Sequence, residues 1–131
     1  MLNIIRQGYF REMPHGENSD PSIWDFIKKG DKDRADKVCK YLESGIEIIT
    51  CAGTVDNVID PSKGVAGIPN VLTDGIWHWP GDLAYYVKNY NLELSQEFID
   101  TMIRNDWKNP ITIEGIDFDE LSIDGEFLFR K

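Results

Sequence analysis

The sequence predicts one α+β domain spanning residues 1–131, with three or four helices packed on a mainly antiparallel sheet. Three observations carry this. Apolar residues recur at helical spacing in the runs 32–44, 83–90 and 95–107. The tail switches to period two from Ile111 onward. Helical and extended runs follow one another too irregularly for a doubly wound parallel sheet. A chain of 131 residues buries roughly two-thirds of its unfolded surface, enough for a core without staples.

Taken in order, residues 1–13 read as a first strand, with Tyr9 and Phe10 available to the core and Gly8 breaking a helical reading. Residues 14–22, PHGENSDPS, have loop composition. Asp20-Pro21 then starts a short helix running to Gly30, the carboxylate capping and the proline ring preset to helical φ. Asp31 caps a second helix from Lys32 to Ser44, whose Ala35, Val38, Cys39 and Leu42 form one face, and Gly45 stands at its end. The bases around these helices alternate with Asp31, Asp33 and Asp36, which predicts a solvated, salt-bridged face.

The β-branched run 46–53 predicts a buried central strand, and 55–59 a second extended piece. Residues 60–70 read as a loop that lacks the glycine order of a phosphate cradle. The stretch Thr73 to Tyr90 holds two of the four tryptophans and three of the five tyrosines. It reads as a turn at Asp74-Gly75, a strand Ile76 to Trp79, and a helix opened by Pro80 with Leu83, Tyr86, Val87 and Tyr90 facing inward. Ser95 caps a further helix to about Trp107, burying Phe98, Ile99, Met102 and Ile103. Residues 111–130 read as strands closed by a hairpin at Asp124-Gly125.

Composition narrows the function classes. The two cysteines, Cys39 and Cys51, lie in expected helix and strand, which argues for buried reduced thiols over a disulfide scaffold. The N-terminus lacks the apolar core of a signal peptide and no run of about 20 apolar residues occurs, so a cytoplasmic protein without a membrane anchor is expected. The net charge of −9 repels nucleic acid and favours encounter with a basic partner.

No catalytic or metal-binding set is expected. Cys51, His78 and an acid such as Asp74 have the residue types of a thiol-protease triad, but nothing in their spacing brings them together. His78 between Trp77 and Trp79 faces opposite to both, and a surface or turn position is expected for it. His15 and His78, the only histidines, belong to no metal-ligand pattern, and no cofactor motif is present. Paired carboxylates are abundant, but abundance is not a constellation.

The charge pattern carries more. Glu114, Asp117, Asp119, Glu120, Asp124 and Glu126 follow one another without an intervening base. With apolar residues alternating inward, these carboxylates gather outside as an acidic patch for a basic partner. Trp79, Asp82 and Tyr85 are further candidate contacts, since tryptophan and tyrosine often anchor interfaces.

The block TDGIWHWPGDLAYYVKNYNLEL, with YFREMPHGENSDPSI and DNVIDP, resembles a group of small bacterial proteins that includes immunity proteins of contact-dependent and other polymorphic toxin systems. The resemblance covers about two-thirds of the chain in scattered blocks and brings no catalytic residue with it. It implies an acidic cytoplasmic inhibitor that neutralises a cognate basic, nuclease-like toxin by stoichiometric occlusion. Two alternatives are a small enzyme with a cleft near Trp79 and Cys51, and a structural or adaptor domain.

Overall fold

The structure, a computed structural model, describes residues 2–127. Six strands form the main sheet: β1 (Asn3–Arg6), β2 (Ile46–Ile49), β5 (Val71–Thr73), β6 (Trp77–Pro80), β7 (Ser122–Ile123) and β8 (Glu126–Phe127), ordered β2-β5-β6-β1-β7-β8. Strand β1 runs parallel to both β6 and β7, and the remaining pairs are antiparallel. Strands β3 (Val55–Asp56) and β4 (Val65–Gly67) make a separate ribbon. Three α-helices complete the fold: α1 (Ala35–Glu43), α2 (Leu83–Tyr90) and α3 (Gln96–Arg104).

Residues side by side in register share a face, so Leu72 and Trp79 lie on one side of the sheet, and Thr73, His78 and Arg6 on the other. The helices cover the first side, where Trp79, Phe98, Tyr41, Leu83 and Tyr86 are fully buried. Trp79 packs 5.2 Å from the Phe98 ring and donates its indole N–H to the Leu42 carbonyl at 3.1 Å. Ile4, Ile116 and Leu121 form a smaller core on the second side, flanked by Ile46, Ile48, Ile111 and Phe118.

Several locally encoded elements match expectation. Ser95 accepts from the Phe98 N–H at the start of α3, and Asp124 and Gly125 both take positive φ in the β7–β8 turn, while Asp31 accepts from the Asp33 N–H to cap a 3-10 turn, Lys32–Arg34, that leads into α1 at Ala35. On α2, Leu83, Tyr86 and Val87 are buried and Tyr90 is partly so.

Elsewhere the chain departs from the reading. Asp20 does not cap a helix, because Arg6 takes both of its oxygens, and the helix expected to reach Gly30 is a single 3-10 turn at Ile23–Asp25. Pro80 ends β6 instead of opening α2, which begins at Leu83. Strand β2 sits at the sheet edge, not its centre, and Cys51 lies half-buried in the loop beyond it. Strand β4 falls within the expected loop 60–70. On α3, Ile103 is 44% exposed.

The largest difference is the tail. Between 111 and 121 it forms a 3-10 turn at Ile113–Gly115 and irregular chain, since Ile111, Ile116, Phe118 and Leu121 lie on the second face of the sheet and need no ladder of their own. Residues 128–130 of the expected terminal strand lie outside the described residues. No helix among the described residues is long and apolar enough to cross a membrane.

Candidate functional site

Two features stand out once the fold is built: a buried polar network under the β7–β8 turn, and the carboxylates displayed around that turn.

The network begins with the alternation along β6. Trp77 and Trp79 go to the helix side, which sends His78 to the other face, where Tyr9 and the β7–β8 turn enclose it. His78 is therefore 2% exposed and not at the surface. The Tyr9 hydroxyl sits 3.2 Å from His78 Nδ1, and Asp124 Oδ2 lies 3.0 Å from Nε2. With the tyrosine donating to Nδ1, the ring proton belongs on Nε2 and is donated to Asp124. Asp124 Oδ1 also accepts the Arg6 backbone N–H at 2.9 Å. A single carboxylate thus fixes the hairpin to both β1 and β6.

Arg6 extends the network. Its guanidinium lies 3.9 Å above the Tyr9 ring and binds Asp20 through two hydrogen bonds of 3.0 and 2.7 Å. The Asp20 partner raises the Arg6 pKa. Burial opposes ionisation of Asp20, but the Arg6 hydrogen bond and the Glu17 backbone N–H hold its carboxyl below the usual range. His15 stands edge-on to Tyr9 and reaches Asp82 Oδ1 at 3.0 Å. Among the described residues, His15 Nδ1 and Asp82 Oδ2 are buried without a protein partner.

The chemistry open to this network is limited. Both His78 nitrogens are engaged, and burial pushes the Tyr9 hydroxyl well above the usual phenol range. Its residues hydrogen-bond to one another and position the turn. Cys51 makes no hydrogen bond to His78 among the described residues, and no three metal-ligating side chains gather there.

Burial lowers the His78 pKa, with the Asp124 hydrogen bond acting in the opposite sense. A histidine harder to protonate when folded costs stability on acidification. Below the ordinary value of about 6.5 the unfolded chain takes up a proton that the folded chain refuses. Stability from this residue is full above about pH 6.5 and is lost as pH falls through the window below it. His78→Gln removes the titration. Urea midpoints measured between about pH 7 and 5 are expected to fall less steeply for the variant, and parallel slopes would contradict this assignment.

The acids surround this anchor. Asp117, Asp119 and Glu120 are exposed in the loop before β7, and Glu126 is exposed on β8. Asp117 shapes the loop by accepting from the Asp119 N–H. Asp124 keeps 40% of its side chain exposed while its oxygens point inward. From Asn109 to Phe129 the sequence holds no lysine or arginine.

The other three candidate contacts lie elsewhere. Trp79 is fully buried, filling the space between α1 and α3, and so offers nothing to a partner. Asp82 is 1% exposed and is turned toward His15. Both are corrections to their expected surface role. Tyr85 is half-buried on the helix side, its hydroxyl accepting from Asn57 Nδ2 at 3.1 Å, and is not brought together with the acids. Sequence reasoning missed Arg6, Tyr9, His15 and Asp20 because their partners lie far along the chain, 69 residues away for Tyr9 and His78.

Compared with protein-family models, with curated proteins and with solved structures, the chain matches none.

Proposed function

We propose that this protein is a cytoplasmic immunity protein that binds a cognate basic, nuclease-like bacterial toxin domain and neutralises it by stoichiometric occlusion, using the acidic edge around the β7–β8 turn. The observation that supports this reading is the combination of exposed Asp117, Asp119, Glu120 and Glu126 with a rigid anchor for the turn between them. A fixed acidic surface on a chain of net charge −9 accelerates encounter with a cationic surface and repels the phosphate backbone that such a toxin attacks. Preorganisation by His78 and Arg6 reduces the ordering cost of binding.

Reversing three exposed charges, Asp117→Lys, Asp119→Lys and Glu120→Lys, tests the reading. Rim charges act chiefly on association rate, so the expected result is an affinity for the toxin weaker by at least about tenfold at low salt, with a flattened salt dependence. Unchanged affinity and salt dependence would overturn it. A small enzyme is the less supported reading, since Trp79 is sealed in the core and both His78 nitrogens are taken.

A further inference from the structure

A second surface runs against the net charge of the chain. Between the start of α1 and the connection from α2 to α3 lie two adjoining hollows of about 280 and 460 Å³, which share Ala35, Val87 and Asn91. Their floor is mixed: Ala35 and Ile99 are partly exposed beside Asn91 and Gln96, over Val38, Val87, Leu92 and Leu94, which are buried. Their rim carries Lys28, Lys29, Lys32, Arg34 and Lys88 against only Asp31 and Glu93. The threaded acids were expected to neutralise Lys28, Lys29, Lys32 and Arg34, yet of these four only Arg34 forms an ion pair among the described residues, with Asp31 at 3.4 Å. Among the described residues the four rim lysines make no ion pair and are exposed.

We propose that this groove docks an acidic peptide segment of a partner protein, with its apolar side chains on the floor and its carboxylates at the lysine rim. Charge complementarity selects the sign of the partner. The partly exposed Ala35, Tyr90 and Ile99 give such a segment's apolar side chains surface to cover, which a phosphate backbone cannot use.

The groove is preformed. Lys28 N–H donates to the Tyr90 carbonyl, Gly30 N–H to the Asn91 carbonyl, Glu93 N–H to the Phe26 carbonyl, and Asn91 Nδ2 to the Gly30 carbonyl. Gly30 permits this approach, since a Cβ there would meet the Leu92 carbonyl oxygen at 2.8 Å. Lys28 itself sits at φ 64°, a left-handed conformation that glycine or asparagine adopts more readily. A lysine held there by the Tyr90 hydrogen bond places its charge at the rim against local preference, a pattern associated with binding sites. The groove lies on the helix layer and is independent of the acidic edge.

The test uses a fluorescein-labelled peptide of alternating glutamate and leucine, the same peptide with lysine for glutamate, and a short single-stranded DNA. Anisotropy is read with the full chain and with its Lys28→Glu, Lys32→Glu, Lys88→Glu variant, whose sites are exposed and whose fold is checked by circular dichroism. The expected result is saturable binding of the glutamate peptide, at least about tenfold weaker in the variant, as loss of three attractive contacts implies. The lysine peptide is expected not to bind. Absent binding, equal binding by both proteins, or preference for the DNA would overturn the proposal. So would self-association by sedimentation that the same substitutions abolish, since the occupant would then be a second copy. The variant is expected to keep its toxin affinity, since the groove and the acidic edge share no residue, so failure here is separable from failure at the acidic edge.

Discussion

Trp79→Ala is expected to lower the unfolding free energy by about 3–5 kcal/mol, the usual cost of removing a buried tryptophan. Trp79 has no exposure, packs between Phe98 and Tyr41, and satisfies the Leu42 carbonyl near the end of α1. Truncation leaves a cavity between the sheet and two helices, which rigid neighbours refill only in part. A domain of this size has about 5–15 kcal/mol to lose, so the variant is expected to be largely unfolded at moderate urea. Trp79→Phe keeps most of the ring volume and loses the N–H donor, for a smaller cost of about 1–2 kcal/mol. Equilibrium urea unfolding followed by circular dichroism measures both, and a midpoint unmoved by alanine would contradict this packing.

Asp74→Ala is expected to cost about 3 kcal/mol, for a different reason. Asp74 Oδ1 accepts from the Ile76 and Trp77 N–H groups, and Oδ2 accepts from the Tyr41 hydroxyl, which in turn accepts from Asn105 Nδ2. The residue is 1% exposed, so removing it strands buried donors from a turn and from α1 at once. Burial also holds the Tyr41 hydroxyl well above its usual range, so it remains a donor at neutral pH. Asp119→Ala, by contrast, is expected to change stability by less than about 0.5 kcal/mol, as exposed positions do. The two aspartates differ only in what surrounds them, and their unfolding midpoints separate fold from surface.

These contrasts also show what was legible in the sequence. Helices α1 and α3 and the Asp124-Gly125 turn were readable because their signals are local: a cap, a spacing and a dipeptide. The partners of Asp20 and His78 were not, because a side chain 14 residues away took the first and two side chains 69 and 46 residues away enclosed the second. Period two in the tail corresponds to pairing only at β7 and β8; between 111 and 121, Ile111, Ile116, Phe118 and Leu121 cover the second face of the sheet without a ladder, while Ile113 and Phe127 are exposed. Of the candidate site, the run of acids was plain in the sequence, and its anchoring was not. Trp79 and Asp82 were misplaced because an aromatic or a carboxylate beside a turn looks alike whether it faces water or core.

The two surfaces divide the molecule electrically. Acids gather about the β7–β8 turn beside the smaller core, and exposed lysines rim the groove on the helix layer. The stretch Thr73 to Tyr90 contributes mainly to folding: Asp74 ties its turn, Trp77 donates to Thr101, and Trp79 fills the core.

Capture of a basic toxin domain by the acidic edge, the function proposed above, is tested by parallel affinity columns that carry the native chain and the Asp117→Lys, Asp119→Lys, Glu120→Lys variant and are loaded with lysate from the source cell. The predicted result is one basic toxin domain, recovered one-to-one on the native column and lost from the variant. A partner retained equally by both columns would contradict the account.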